Sequence, residues 1–225
     1  MSLIRPPMVP TTRPRAIIFD WDNTLIDSWV VIQDALNATF DVFGLDRWTL
    51  DETKVRVAKS MRDSFPALFG DEWERAGEVF YGHFEAMHLD RLTPLPGAHD
   101  AVAQFAEAGF YMGVVSNKTG KLLRAEAEKL GWNGYFGQIV GAQDAPRDKP
   151  APDPVTMALD GSGVQAGTDV WFAGDAAVDL ECAKNAGCIG VLVRPEPPLN
   201  GEFHDMEPAL HVDTVQKLFN LAKNL

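Results

Sequence analysis

The chain has 225 residues, of which 46% are hydrophobic and 23% are charged, and this composition is typical of globular proteins rather than of disordered or fibrous ones. Its 32 acidic and 20 basic residues give a formal net charge of −12. This charge repels polyanions and anionic surfaces, so we expect no nucleic-acid partner and no membrane partner, and a small anionic ligand would need a local positive charge.

Residues 1–15 contain four prolines and three arginines and no apolar run of the kind that forms a signal peptide. We interpret them as a flexible leader. Cys182 and Cys188 lie in an apolar stretch, and their spacing fits neither a zinc site nor a redox pair. Buried free thiols are expected, which fits a reducing cytoplasm.

The first predicted strand, Ala16–Phe19, is followed by a long interval without any strand-like run. Residues 28–91 show only helical patterns, such as Trp29–Phe43 and Glu72–Leu89. We predict that 28–91 form an inserted helical cap domain. The sequence Pro94-Leu95-Pro96-Gly97 then suits a stiff turn that leads back to the sheet.

Strand and helix patterns alternate in the rest of the chain. The further predicted strands are short runs rich in Val, Ile and Phe: Tyr111–Val115, Gln138–Gly141, Val170–Ala173 and Ile189–Val193. The predicted helices between them are His99–Ala108, Thr119–Leu130, Pro154–Leu159 and Val178–Ala186. This order predicts an α/β fold with a Rossmann-like parallel sheet between helices, formed by residues 16–27 and 92–225.

Polar residues follow almost every predicted strand. They are Asp20 to Thr24, Ser116 to Lys118, Asp144 to Lys149, and Gly174-Asp175 with Asp179. Ligands of open parallel sheets bind beyond the carboxyl ends of the strands, where these residues would meet. Turn and cap chemistry explains any one of them. Together, however, their carboxylates would repel each other strongly, which is most easily tolerated around a divalent cation such as Mg²⁺.

Asp20 and Asp22 are separated by one residue, so an extended chain would project both side chains to one side. One carboxylate can attack phosphorus directly, while the second protonates the leaving oxygen and later accepts a proton from water. Lys149 lies at the same predicted sheet edge and can neutralise phosphoryl oxygens. A solvated loop lysine is the alternative for Lys149 taken alone.

Four motifs carry a family resemblance. They are Asp20-x-Asp22-x-Thr24-Leu25, Ser116-Asn117, Lys149-Pro150 and Gly174-Asp175-x-x-x-Asp179. In order and spacing they resemble the motifs of the haloacid dehalogenase superfamily, and the predicted insertion is similar to its helical cap. The likeness is greatest to the phosphoglycolate phosphatase group, in Val115 to Lys118 and in Asp148 to Pro154.

The resemblance implies a role for each motif residue. Asp20 would be the nucleophile and Asp22 the general acid and base, with Lys149 completing the catalytic set. The substrate-binding residues would be Thr24, which holds the loop, Ser116 at the phosphoryl group, and Asn117 through its backbone NH. Asp20, the backbone carbonyl of Asp22 and Asp175 would hold Mg²⁺, with Asp179 supporting the metal directly or through water.

Two positions depart from the family pattern. Asn23 stands where the family usually has glycine, and asparagine is the other residue that best tolerates positive φ. Ala176 stands where a hydroxyl residue commonly follows the metal-binding aspartate. The missing hydroxyl predicts weaker support of the metal site.

The cap offers candidates for substrate selection. Arg56, Lys59 and Arg62 have three-residue spacing and would share a helical face. A solvated face is the alternative. If Arg62 enters the site as a further substrate-binding residue, the substrate would carry a second negative charge, such as a carboxylate or another phosphate.

We therefore expect a cytoplasmic Mg²⁺-dependent phosphatase, a monomer or homodimer, that acts on a small phosphorylated metabolite through an aspartyl-phosphate. Phosphoglycolate is one candidate substrate. A sugar phosphomutase would share all four motifs and is the first alternative. A non-catalytic binding protein on a phosphatase scaffold is the second. A dehalogenase fits Asp22 poorly, and a phosphonate hydrolase would need a Schiff-base lysine in the cap.

Overall fold

The computed structural model describes residues 10–57 and 61–225, without the side chains of 61–63. The chain forms two compact units. One unit ends at Ile26 and resumes at Pro94, and the other spans Asp27–Thr93. The two units follow from the sequence, because the strand patterns belong to the first and the second contains helical patterns.

A sheet of six parallel strands lies at the centre of the first unit, in the order β3-β2-β1-β4-β5-β6. The strands are β1 (Ala16–Phe19), β2 (Tyr111–Thr119), β3 (Gln138–Ala142), β4 (Val170–Gly174), β5 (Ile189–Val193) and β6 (Leu210–Val212). β1 pairs with both β2 and β4, so the strand order reverses beside it. Such a reversal opens a crevice at the carboxyl ends of the strands.

The unit Asp27–Thr93 is helical, and its described residues contain no strand. Its helices are α1 (Trp29–Phe43), α2 (Leu50–Arg56), α3 (Met61–Phe69) and α4 (Trp73–Met87), with a 3₁₀ turn at Gly70–Glu72. A core of Leu36, Phe40, Phe65 and Ala76 holds them together. The aromatic rings are in direct contact, since the centroids of Phe40 and Phe69 are 5.8 Å apart. This apolar core stabilises the inserted unit.

Five further helices flank the sheet. They are α5 (Ala98–Glu107), α6 (Gly120–Lys129), α7 (Asp153–Ala158), α8 (Ala177–Asn185) and α9 (Val215–Lys223), with a 3₁₀ turn at His204–Met206. Every residue of β1 is buried, as expected for a strand covered on both faces. α9 packs on α5, where the rings of Phe105 and Phe219 meet edge to face at 5.1 Å.

The predicted parallel α/β fold with a helical insertion is confirmed, and β1 and β5 have the predicted bounds. Three strands are longer than predicted: β3 and β4 each end one residue later, at Ala142 and Gly174. The largest difference is in β2, which continues through Ser116 and Lys118 to Thr119 instead of ending at Val115. β6 and α9 were not predicted. Across the described residues, none of the helices has the length and hydropathy needed to cross a bilayer.

The ends of the helical unit lie next to each other. The amide of Asp27 donates to the carbonyl of Thr93 at 2.8 Å. In the sheet unit, the amide of Leu95 donates to the carbonyl of Leu25 at 2.9 Å, and Ile26 forms an antiparallel bridge with Pro94. These bonds fix where the chain leaves and rejoins the sheet unit. The division into leader (1–15), core (16–27 and 92–225) and cap (28–91) as separate domains stays a prediction, and residues 1–9 lie outside the described part.

Candidate active site

Asp20 directly follows the central strand β1. Its backbone amide donates to the carbonyl of Ala173 at 2.8 Å, so the pairing with β4 continues to the nucleophile candidate. The side chain is buried, and its Oδ2 lies 3.5 Å from the hydroxyl of Thr24, which donates to it. The turn between them contains Asn23 at φ 60°, a positive value that asparagine tolerates better than other non-glycine residues.

Lys149 joins two carboxylates that are distant in sequence. Its Nζ donates to Oδ1 of Asp20 at 2.6 Å and to Oδ1 of Asp179 at 2.7 Å. Only 2% of the lysine side chain is exposed, so water screens these contacts little. Lys149 is therefore a buried cation at the carboxyl edge of the sheet and not a solvated loop lysine.

Three carboxylates form a cluster that can hold a metal ion. Asp20, Asp175 and Asp179 each contribute one oxygen, and these oxygens lie within 4.8 Å of one another. Asp175 follows β4, and Asp179 lies in the first turn of α8, where its Oδ2 accepts from the amide of Ala176 at 3.0 Å. The close approach requires Gly174, because a Cβ there would overlap the carboxylate of Asp179.

Burial and neighbouring charges shift the pKa values of the groups in this cluster. Burial raises the pKa of Asp20 to about 7, with the charge of Asp179 adding to the rise and that of Lys149 opposing it. Burial, followed by the charges of Asp179 and Asp20, also raises the pKa of Asp175 well above its usual range. Burial alone would lower the pKa of Lys149, but the two carboxylates beside it raise it. Further positive charge would therefore stabilise the ionised cluster.

Asp22 contacts a different group. Its Oδ1 lies 2.7 Å from Nζ of Lys118, and its carboxylate is not one of the clustered oxygens. Lys118 also donates to both carboxylate oxygens of Glu126, at 2.8 and 2.7 Å. Trp21, between the two motif aspartates, donates its indole NH to Oε2 of Glu126 at 2.6 Å. This network was not predicted as part of the site.

The position of Glu126 in the sequence indicates a buried partner, although Glu126 was not among the predicted site residues. It lies on α6 at the spacing of Leu122, Leu123 and Ala127, all of which are buried. A glutamate on the apolar face of an amphipathic helix must have a buried partner, because an unpaired buried charge is very costly. Its burial, at 1% exposed, and its contact with Lys118 follow this rule.

Ser116 and Asn117 lie in β2 at the same edge. The Ser116 hydroxyl is buried and accepts from the amide of Lys118 at 3.1 Å. The Asn117 side-chain NH₂ donates to the backbone carbonyl of Lys149 at 3.3 Å, which ties two of the motifs together. The side-chain oxygen of Asn117 is buried without a hydrogen-bond partner in the described structure.

The predicted basic face of the cap is only partly described. Arg56 is the last residue of α2 and pairs with Glu52 at 3.1 Å, and its guanidinium lies 4.8 Å from the ring centre of Trp48. Val57 leaves the helical conformation with ψ 47°, so Arg56 belongs to α2 and Arg62 to α3. The prediction that Arg56 and Arg62 share one face of a single helix was therefore wrong. Lys59 lies outside the described residues, as does the side chain of Arg62.

The model of one known family matches this chain over most of its length. The family model of the haloacid dehalogenase-like hydrolases matches residues 17–193, which include β2 through β5, all of β1 except Ala16, and every motif residue named above. The chain belongs to the haloacid dehalogenase-like hydrolases. The resemblance drawn from the four motifs is thereby confirmed.

Relatives in this family are phosphatases. The chain is 32% identical to the phosphoglycolate phosphatase of Aquifex aeolicus over 174 residues, which cover 77% of this chain and 81% of that protein. It is 25% identical to the pyrophosphatase PpaX of Halalkalibacterium halodurans over 184 residues, which cover 80% and 85% of the two chains. These hydrolases support the prediction of a phosphatase enzyme similar to phosphoglycolate phosphatases.

Solved structures of the family share the fold. A haloacid dehalogenase-like family hydrolase from Streptococcus pneumoniae superimposes with a TM-score of 0.81, covering 92% of this chain and 98% of that one, at 18% identity. At this identity the match concerns the fold alone. This chain thus shares the fold of that solved structure.

Proposed function

We propose that the chain is a Mg²⁺-dependent phosphatase that hydrolyses a small phosphorylated metabolite through an aspartyl-phosphate on Asp20. The observation that carries the proposal is the meeting of three carboxylates and one ammonium at the carboxyl edge of the sheet. Structural roles do not require so many like charges in one buried place. A site that binds a metal cation and a phosphoryl group together does require several carboxylates and a buried ammonium group.

The residues present fit a divalent cation. The oxygens of Asp20, Asp175 and Asp179 are close enough to bind one ion. A bound cation would offset the burial and the neighbouring carboxylate charges that raise the pKa values of Asp20 and Asp175. Mg²⁺ prefers carboxylate oxygens and completes its shell with water and phosphate oxygens. We propose Asp20, the backbone carbonyl of Asp22 and Asp175 as direct ligands, with Asp179 acting directly or through water. The ion supplies charge neutralisation for the phosphoryl group when bound.

In the first half-reaction, a carboxylate oxygen of Asp20 attacks phosphorus. A bond forms between that oxygen and phosphorus, and the bond from phosphorus to the substrate oxygen breaks. Asp22, protonated, donates its proton to the leaving oxygen, which departs as an alcohol. Lys149 neutralises charge on Asp20 and on the phosphoryl oxygens, while Ser116 and the backbone NH of Asn117 bind the phosphoryl group.

In the second half-reaction, Asp22 accepts a proton from a water molecule. The oxygen of that water attacks phosphorus, and the bond between phosphorus and Asp20 breaks. Inorganic phosphate leaves, and both aspartates return to their starting states. Thr24 holds the turn that carries both aspartates, which its hydrogen bond to Asp20 supports.

The names of the relatives support a substrate class. The relatives named above act on phosphoglycolate and on pyrophosphate, as their names state. Both are small phosphates with a second acidic group. We propose a substrate of this class, with Arg62 contacting the second negative charge and phosphoglycolate as one candidate.

Rapid quenching tests the mechanism. The purified protein is mixed with a ³²P-labelled phosphate monoester and Mg²⁺, quenched in acid, and the label on protein is measured. We expect a labelled, hydroxylamine-sensitive acyl phosphate, absent in Asp20→Asn and in the presence of a chelator. Turnover of Asp20→Asn should fall by roughly 10⁴ to 10⁶, the scale reported for loss of a nucleophile.

A matched control is Asp46→Asn, which changes an exposed aspartate of the helical unit. It should leave turnover unchanged. Turnover by Asp20→Asn at the wild-type rate, or a wild type that never carries label, would refute the proposal. Product analysis separates the phosphomutase, since a mutase yields an isomeric phosphate and little free phosphate.

A further inference from the structure

A closed set of hydrogen bonds joins the loop of the motif aspartates to the second strand and the helix after it. Glu126 of α6 accepts from the Trp21 indole at 2.6 Å and from Lys118 at 2.7 and 2.8 Å. Lys118 in turn lies 2.7 Å from Oδ1 of Asp22. Two consecutive residues of the loop, Trp21 and Asp22, are therefore held by one buried carboxylate, the first directly and the second through a lysine.

The network is rigidly placed. Trp21 is fully buried and meets Trp132 edge to face at 5.7 Å. Lys118 lies where the pairing of β2 with β3 is irregular, since Val115 pairs with Val140 while Thr119 pairs with Ala142. Between these two pairs, the chain moves four positions along β2 but only two along β3. Such irregularities commonly redirect side chains beside active sites.

Stability alone does not account for this pair. The side chains of Lys118 and Glu126 are 6% and 1% exposed, so both charges have lost most of their hydration. Replacing a buried ion pair with apolar residues is often neutral or stabilising. Because this buried pair also contacts the proposed general acid, Asp22, a role in catalysis explains its presence better than a contribution to the free energy of unfolding.

We propose that Lys118 and Glu126 are positioning residues, which hold the carboxyl group of Asp22 where it donates its proton to the leaving oxygen. The inference rests on the proposed function, because it assigns a partner to the proposed general acid. Asp22 is otherwise the least enclosed group of the network, with 24% of its side chain exposed. A small displacement of a catalytic group can greatly lower the reaction rate. A partner that fixes the side chain therefore matters most for a partly exposed residue such as Asp22.

The inference predicts an effect that depends on the leaving group. An alkoxide needs protonation as it leaves, whereas p-nitrophenolate is stable without it. In Lys118→Met, kcat/KM for the alkyl phosphate that the wild type hydrolyses best should fall roughly ten- to hundredfold, the scale of losing an orienting partner. For p-nitrophenyl phosphate the same ratio should change little. We compare kcat/KM because it reports the steps up to phosphoryl transfer and excludes the later hydrolysis of the aspartyl-phosphate.

Lys118→Met leaves Glu126 buried without its cation and is expected to lower stability. The double variant Lys118→Met with Glu126→Gln removes both charges and keeps an acceptor for Trp21. Thermal unfolding identifies whichever variant is folded, and the leaving-group comparison is made on that one. The control is Lys121→Met, which changes an exposed lysine of α6, the helix that carries Glu126. Its kcat/KM should match that of the wild type for both substrates.

A double-mutant cycle with Asp22→Asn completes the test. Once Asp22 cannot donate a proton, the Lys118 change should cause no further loss with the alkyl phosphate. Equal losses for both substrates, additive losses with Asp22→Asn, or wild-type rates in a folded variant would each overturn the inference. The proposed function fails separately, when the wild type shows no phosphoenzyme or when Asp20→Asn retains turnover.

Discussion

Nζ of Lys149 lies 2.6 Å from Oδ1 of Asp20, although 129 positions separate the two residues in the chain. The contact exists because parallel strands bring their carboxyl ends to one edge, where the loop after β3 meets the end of β1. A buried lysine between two carboxylates balances part of their charge and leaves the rest for a metal ion.

Replacement of this lysine should impair catalysis more than folding. In Lys149→Met we expect kcat to fall by roughly 10² to 10³, the effect of removing one group that stabilises transition-state charge. Mg²⁺ should restore part of the lost thermal stability, because the ion replaces the missing charge. Steady-state kinetics and thermal unfolding measure both effects. Lys129→Met changes an exposed lysine and should behave as wild type, and wild-type kcat in Lys149→Met would contradict the role.

The stabilising effect of Mg²⁺ should grow with pH. The folded-state pKa of Asp20 is raised from 3.8 to about 7. The metal-free protein therefore loses stability as the pH rises from the unfolded pKa to the folded pKa of about 7. Below it, protons occupy the site and compete with the ion. The rise in Tm on adding Mg²⁺ should therefore be larger at about pH 7.5 than at about pH 5.5. Differential scanning fluorimetry with Mg²⁺ or chelator measures it. The trend should shrink in Asp20→Asn, and an equal rise at both pH values would contradict it.

Gly174 should be irreplaceable for a geometric reason. A Cβ at this position would overlap the carboxylate of Asp179, so Gly174→Ala must displace α8 or that side chain. We expect weaker Mg²⁺ binding and a roughly ten- to hundredfold loss of activity, the usual scale for disturbing support of a metal site. Titration calorimetry with Mg²⁺ gives the binding constant. Gly134→Ala adds its Cβ to open space and is the control, and unchanged Mg²⁺ binding in Gly174→Ala would contradict the prediction.

The proposed contact of Arg62 with substrate predicts a selective change in KM. Arg62→Ala should raise KM for the natural substrate more than for p-nitrophenyl phosphate, which lacks a second acidic group. Arg56→Ala is the matched control, because Arg56 is already engaged by Glu52 and Trp48 within the helical unit. Equal effects of Arg62→Ala on both substrates would argue against the contact.

The sequence predicted the parts of the fold that depend on local pattern. The buried strand Ala16–Phe19 and the helix Trp29–Phe43 were predicted with their observed bounds. β6 was missed because it has only three residues, and a run of that length gives no periodicity. α9 was missed although Leu218, Phe219 and Ala222 give it a clear apolar face. The end of β2 was misplaced because Ser116 and Asn117 are typical of turns but lie here in an irregular strand.

The candidate site was predictable where residues follow strands and unpredictable where contacts are tertiary. The meeting of Asp20, Asp175 and Asp179 could be expected from topology, since Asp20 and Asp175 directly follow β1 and β4, and Asp179 lies in the first turn of α8, the helix that follows β4. The contact of Lys118 with Asp22 does not, because it depends on the strand irregularity. Glu126 was overlooked because a single acidic residue in a helix is usually read as surface, unless the burial of its helical face is considered.

The hydrogen bonds at the ends of the helical unit have an evolutionary consequence. Asp27 and Thr93 are bonded to each other, and so are Leu25 and Leu95. A segment whose two ends are adjacent can be exchanged, lengthened or shortened without moving the strands on either side of it. Selection can thus change the insertion while the sheet and the carboxylate cluster at its edge are inherited unaltered.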